Sequence, residues 1–193
     1  MPNAVEIEAK ALLSEEEHRK LFSYFSSFPV RTQTNHFFDT PDLSLSANLV
    51  ALRVREMEGT YEFTMKTNLE EGRLERNLLI SKEQFEDLKA KRSFPEGDAK
   101  DYLLSIGLDL SRIGLITSLT TMRKEGEFEG GVLSIDRNSY SDITDYEIEY
   151  ESTSMEKAEK TVRSLLEKLA IPVRFSQIPK IRRALDAYKK PMH

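Results

Sequence analysis

Glu6-Ile7-Glu8-Ala9-Lys10 is the stretch on which the reading of this chain turns. Side chains two residues apart in a strand point the same way, so Glu6, Glu8 and Lys10 share one face while Val5, Ile7 and Ala9 share the other. The strand rise spreads those three charges over about 13 Å. Two carboxylates about 7 Å apart repel by only ~0.6 kcal/mol in bulk water, but by ~2.4 kcal/mol at an effective dielectric of 20. On a solvated face they need no partner. Inside a pocket they need a cation, and a divalent metal held by oxygen ligands is a natural one. The question for every later strand is whether its ionic face looks out into water or in at strands built the same way.

Composition narrows the classes. At 193 residues the chain is long enough for a substantial core, and residues 1–193 are expected to form a single domain. The absence of cysteine excludes disulfides and thiolate metal sites and fits a reducing compartment. A net charge of −5 and a pI near 5.4 argue against general nucleic-acid binding. Met1 to Ala4 is too short for a signal peptide ahead of the first strand, and no apolar run approaches membrane-spanning length. The expectation is a cytoplasmic protein with no membrane partner.

Along the chain, Ser14 followed by Glu17 reads as a capping box opening a helix over about 14–27, with Leu21, Phe22 and Phe25 on its apolar side. Gln33 to Asp39 is an aromatic strand stopped by Thr40-Pro41-Asp42, and Asp42 is placed to cap a short turn. His18 and His36 are read as packing or surface residues. Leu52 and Val54 alternate with Arg53 and Arg55; after the turn at Met57 to Thr60, a returning strand ends at Lys66. Leu74 to Ile80, carrying Glu75, is a further strand. Ser81 with Gln84 opens a helix, and Asp98 a shorter one that Gly107 ends. The strands resume with Arg123, then Asp136 opposite Leu133 and Ile135. Tyr146 to Glu151 repeats the pattern of the first strand, with Glu147 and Glu149 spaced two apart. Thr153 and Glu156 box a long helix with the stripe Ala158, Val162, Leu165, Leu166 and Leu169, and Pro179 starts a last helix.

Several strands thus carry one apolar and one ionic face. An antiparallel sheet closed with its ionic faces inward would hold a charged tunnel and lay its apolar faces under amphipathic helices. Both signs together suit a polyphosphate: Arg and Lys on its oxygens, carboxylates on a divalent metal that bridges phosphates. No Gly-rich P-loop offers another route to phosphate. The same spacing also permits a sheet whose ionic faces are simply solvated.

The ordered set Glu6-x-Glu8-x-Lys10, Phe37-Phe38-Asp39-Thr40-Pro41-Asp42, Leu52-Arg53-Val54-Arg55, Lys66, Arg123, Asp136, Glu147-x-Glu149 and Lys180-x-x-Arg183-Ala184-Leu185 resembles the CYTH family, the triphosphate tunnel metalloenzymes, and within it the small bacterial YjbK-like group. The resemblance implies an α+β fold: a closed eight-stranded antiparallel β-barrel with helices packed outside. It implies Mg2+ or Mn2+ on Glu6, Glu8, Asp136, Glu147 and Glu149. A triphosphate-containing small molecule would be held by Lys10, Arg53, Arg55, Lys66, Arg123, Lys180 and Arg183. Lys10 and Glu75 are the candidate catalytic residues, Glu75 resembling an acidic position near the water or a second metal.

The implied activity is metal-dependent hydrolysis of inorganic triphosphate or a related short triphosphate compound. Adenylate cyclase on the same fold, or a non-catalytic polyphosphate or nucleotide binder, are the alternatives. One departure concerns the last helix: Pro179-Lys180-Ile181 stands where the family commonly has Ser-Lys-Tyr. There is no tryptophan to stack on a thiamine ring.

Overall fold

The computed structural model describes residues 7–68 and 73–188. Its strands are β1 (Glu8–Leu13), β2 (Val30–Asp39), β3 (Val50–Met57), β4 (Thr60–Asn68), β5 (Arg73–Ile80), β6 (Gly114–Phe128), β7 (Gly131–Tyr140) and β8 (Ile143–Glu151). They form one eight-stranded antiparallel sheet in the order β1-β8-β7-β6-β2-β3-β4-β5. That order is linear, with β1 and β5 at its ends. An antiparallel sheet is therefore the observed form, and the closure expected of a barrel is not among the pairings of the described residues. Six helices accompany it: α1 (Glu15–Tyr24), α2 (Ser44–Ala47), α3 (Lys82–Lys89), α4 (Asp98–Ser105), α5 (Met155–Lys168) and α6 (Lys180–Tyr188).

The chain divides into two compact units, one built around residues 34–119 and the other around residues 7–33 and 120–183. Each has its own apolar core. In the first, Leu52 and Val54 of β3, Phe63 and Met65 of β4, Phe85 and Leu88 of α3 and Leu103 of α4 pack together. In the second, Ala9, Ala11 and Leu13 of β1, Leu133 and Ile135 of β7 and Ile148 and Tyr150 of β8 meet Leu21 and Phe25 of α1 and Val162, Leu165 and Leu166 of α5. Burying each of the larger side chains stabilises its unit by about 1.5–3 kcal/mol. The period-2 alternation read from the sequence is thus real, because Lys10, Arg53 and Glu149 stand between these core positions.

Two tight hairpins set the β3–β4 and β6–β7 registers. Glu58 (φ 50°) and Gly59 (φ 78°) join β3 to β4, and Glu129 (φ 47°) and Gly130 (φ 72°) join β6 to β7. Two successive positive-φ residues match the twist of a two-residue hairpin. Gly131 follows in β7, where a Cβ would lie 2.4 Å from the Glu151 carbonyl oxygen and 2.5 Å from the Tyr150 hydroxyl, so only glycine fits.

The capping boxes of α1 (Ser14 with Glu17) and α3 (Ser81 with Gln84) form as the sequence predicts. Three other starts differ. Helix α5 is capped by Ser154, whose side chain accepts from the Lys157 N–H, rather than by Thr153. Gly97 occupies the cap of α4, leaving Asp98 as its first helical residue. Asp39, not Asp42, supplies the carboxylate to the α2 turn: Oδ1 accepts from the Leu45 N–H at 2.9 Å and Oδ2 from the Ser46 N–H at 3.1 Å. Asp42 instead accepts from the Thr40 and Ser44 hydroxyls. Among the described residues, no helix is long and apolar enough to cross a membrane.

Candidate functional site

In the unit of residues 7–33 and 120–183, strand register assembles the ionic residues into two rows. Lys10 lies opposite Glu149, which lies opposite Ser134, which lies opposite Glu125. In the adjacent row Glu147 lies opposite Asp136, and Asp136 opposite Arg123. Directly opposed residues share a sheet face, so these side chains meet. Asp136 and Glu147 are completely buried and Glu149 is 8 % exposed. One carboxylate oxygen from each of these three lies within 4.8 Å of the others, a grouping able to hold a metal ion.

Among the described residues, four cations serve this group. Arg123 reaches Asp136 through Nε (2.8 Å) and Nη2 (2.7 Å), and its Nη2 also reaches Glu149 (2.6 Å). Lys10 Nζ lies 2.8 Å from Glu8 and 3.4 Å from Glu149. Lys180 Nζ contacts Asp136, Glu147 (2.8 Å) and Glu149 (3.3 Å). Arg183 Nη2 donates to Glu147 at 2.5 Å. Lys180 and Arg183 come from the start of α6, where the Pro179 carbonyl accepts from the Arg182 and Arg183 N–H groups and so opens the helix. With Pro179 and Ile181 beside it, Lys180 lies on the acids.

Burial raises the cost of charge here, and the ion pairs decide which groups bear it. Burial pushes the Asp136 carboxyl up, but Lys180 and Arg123 outweigh it and hold the group below its usual range. Glu8 is likewise lowered, burial being outweighed by Lys10 with help from Lys180 and Arg123. Glu149 goes the other way: burial, then the Asp136 and Glu8 charges, raise it to about 7 against the pull of Arg123 and Lys10. Desolvation lowers Lys180 to about 8, its carboxylate partners only partly compensating.

Sequence reasoning missed three contributors. Glu125 accepts from Arg123 Nη1 (3.2 Å) and from the Ser134 hydroxyl (3.0 Å). Asp145 accepts from Tyr140 (2.6 Å) and from Asn138 (3.0 Å), and Asn138 also donates to Glu147 at 3.2 Å. The signal was present, since Glu125 is two residues from Arg123 and Asp145 two from Glu147. Glu6 lies outside the described residues.

In the unit of residues 34–119, Arg53, Arg55, Lys66 and Glu75 share a sheet face, because Arg53 opposes Thr64, Arg55 opposes Glu62, and Lys66 opposes Glu75. Lys66 forms an ion pair with Glu75. Burial raises the Glu75 carboxyl, but the Lys66 hydrogen bond and charge, with Arg53, bring it below its ordinary value. Arg55 Nε donates to Asn35 Oδ1 at 3.3 Å. The two histidines lie elsewhere. His18 packs against Phe22 and Tyr146, and His36 bridges Ser118 (2.8 Å) and Glu56 (3.2 Å).

The family model of the CYTH domain matches residues 4–184 of this chain. The chain belongs to the CYTH domain family. This CYTH chain is 34 % identical over 176 residues to a Bacillus subtilis protein with the provisional name triphosphatase YjbK, covering 90 % of this chain and 91 % of that one. A Bacillus halodurans crystal structure, provisionally described as an adenylate cyclase, superposes with a TM-score of 0.84 at 36 % identity, covering 95 % of this chain and 98 % of that one. A Hippeastrum protein, described as a provisional adenylyl cyclase with a dominant triphosphatase activity, shares the fold at a TM-score of 0.79 and 24 % identity, covering 96 % and 98 % of the two chains.

Proposed function

We propose that this CYTH protein is a divalent-metal-dependent triphosphatase acting on inorganic triphosphate or a similar short triphosphate compound. The observation that carries the reading is the buried group Asp136, Glu147 and Glu149, with ligand oxygens within 4.8 Å of one another and Arg123 alongside. Oxygen-only donors of this charge fit a hard cation, Mg2+ or Mn2+. Asp136, Glu147 and Glu149 would hold it, joined in the proposal by Glu8 and Glu6. The ion would supply Lewis-acid polarisation of phosphate oxygens and an activated water.

The remaining work falls to the chain's own side chains. Arg53, Arg55, Lys66 and Arg123, with Lys10, Lys180 and Arg183, would neutralise the triphosphate and the charge that develops on its leaving group. Guanidinium forks on Arg53, Arg55 and Arg123 suit paired phosphate oxygens. Glu75, kept ionised by Lys66 and Arg53, would accept a hydrogen bond from the attacking water, and Lys10 would steady the phosphoryl group being transferred. The reading includes one domain over residues 1–193, closure of its eight strands into a tunnel with the helices outside, and a cytoplasmic location.

The name of the Bacillus halodurans relative favours a second reading, an adenylate cyclase in which a ribose hydroxyl replaces water. Incubation of the purified chain with tripolyphosphate, ATP and other nucleoside triphosphates, with Mg2+ and with Mn2+, tests both. Orthophosphate release from tripolyphosphate that EDTA abolishes is the expected result. Cyclic AMP from ATP without orthophosphate would favour the cyclase, and neither product would leave a binding protein.

A further inference from the structure

We propose that the ammonium of Lys180 and a divalent ion are alternative occupants of one site, so that metal enters the Asp136, Glu147 and Glu149 group only as Lys180 leaves it. The inference rests on the metal reading above and adds an internal competitor to it. Lys180 Nζ touches Asp136, lies 2.8 Å from Glu147 Oε1 and 3.3 Å from Glu149 Oε2. These are the three residues whose oxygens cluster within 4.8 Å. The other cations each approach part of the set: Arg123 contacts Asp136 and Glu149, Lys10 contacts Glu149, and Arg183 contacts Glu147. Among the contacts of the described residues, Lys180 is the cation in the middle.

A Mg2+ or Mn2+ ion would sit about 2.0–2.2 Å from the same oxygens. That position falls inside the contact distance of the ammonium, so both cannot be held there. The side chain is suited to the exchange. An ammonium is a compact charge with three donors, one for each carboxylate, on a four-carbon stem that can swing aside. Position at the first residue of α6 leaves that stem unencumbered by a preceding helical turn. The displaced ammonium needs a new anion, and a triphosphate arriving with the metal provides one. Metal and substrate would then assist one another's binding, because each favours the state with Lys180 off the carboxylates.

The test is a Mn2+ titration in phosphate-free buffer, with free Mn2+ read by electron paramagnetic resonance, on the wild-type chain, Lys180→Met and Lys180→Arg. Removing the competitor should tighten Mn2+ binding by about tenfold or more, equivalent to about 1.4 kcal/mol. Lys180→Arg keeps a cation and should stay near wild type. Thermal unfolding with and without Mn2+ runs beside it, and the methionine variant should gain more stability from Mn2+ than the wild type does. If the metal-free variant is unfolded, Mn2+ should refold it; failure to do so at concentrations that saturate wild type overturns the inference. Equal or weaker binding by Lys180→Met also overturns it while leaving the hydrolase reading intact. Tighter binding by Lys180→Met, beside a wild type that cleaves no triphosphate, sustains the inference and removes the hydrolase. Absence of Mn2+ binding in all three proteins removes both this inference and the metal site.

Discussion

Arg123 grips Asp136 with two arms of its guanidinium, Nε to Oδ1 at 2.8 Å and Nη2 to Oδ2 at 2.7 Å. Asp136 is completely buried, so its charge persists only because such partners replace water. Lysine at 123 would keep the charge and lose the paired donors. Arg123→Lys should therefore lower stability by about 1–3 kcal/mol, the range for a charge-assisted hydrogen bond left unmade in a buried site. Urea unfolding of the metal-free protein measures it, and an unchanged midpoint would show that the fork contributes nothing.

Glu147 belongs to a crowded acidic group, where repulsion alone would make the loss of one charge cheap. The structure argues otherwise. Glu147 accepts from Arg183 at 2.5 Å and from Asn138 at 3.2 Å and lies 2.8 Å from Lys180. Glu147→Gln would leave two partly buried cations, Lys180 and Arg183, short of a counter-charge, at a cost of up to about 3–5 kcal/mol. Among the described residues Glu8, on the more open edge of the group, has Lys10 alone within ion-pair distance, and Glu8→Gln should cost far less. Both variants should lose Mg2+-dependent turnover. Melting curves separate the two: equal stabilities would mean that the Glu147 contacts are not energetically distinct.

The two-residue period made most of this legible, because a strand with one buried face must place its other residues together. It put Glu8 with Lys10, Arg53 with Arg55 and Glu147 with Glu149 before any register was known. Register itself was not legible. That Lys66 opposes Glu75, or Arg123 opposes Asp136, depends on where the hairpins turn, and the positive-φ pair Glu129-Gly130 is a backbone property only half written in the sequence. The caps at Asp39 and Ser154 escaped for a related reason: neighbouring Asp42 and Thr153 have the same side-chain chemistry, and only the backbone path selects between them.

Glu149 predicts a pH signature. Its folded carboxyl sits at about 7, raised from an ordinary 4.5 by burial and by the Asp136 and Glu8 charges. Between those values the folded chain holds a proton that the unfolded chain has released. The associated stability is therefore fully present below about pH 4.5 and is lost as pH rises through about 7. Metal-free wild type should lose stability relative to Glu149→Gln across this window, as read by denaturant midpoints at successive pH values. Saturating Mn2+ should flatten the wild-type slope by taking the proton's place. A constant difference between the two proteins in the absence of metal would mean that Glu149 titrates normally.

Arg53 and Arg55 separate phosphate binding from metal binding. They stand two apart on β3, and Arg55 Nε is anchored on Asn35 Oδ1 at 3.3 Å, which orients its guanidinium. A lysine at 55 would retain the charge but lose both the anchor and the paired donors that match phosphate oxygens. The cost expected in transition-state stabilisation is about 1–3 kcal/mol, roughly a five- to 150-fold fall in kcat/KM for triphosphate. Mn2+ affinity should barely move, because a guanidinium offers no lone pair to a metal ion and lysine keeps the positive charge. Glu8→Gln should show the reverse pattern, weaker Mn2+ binding with the loss of turnover partly restored at high metal. Kinetics at saturating Mg2+ beside a Mn2+ titration of wild type, Arg55→Lys and Glu8→Gln decide the matter. Intact hydrolysis in Arg55→Lys, or a shift in its metal affinity as large as that of Glu8→Gln, would end the division of labour between bases for phosphate and acids for metal.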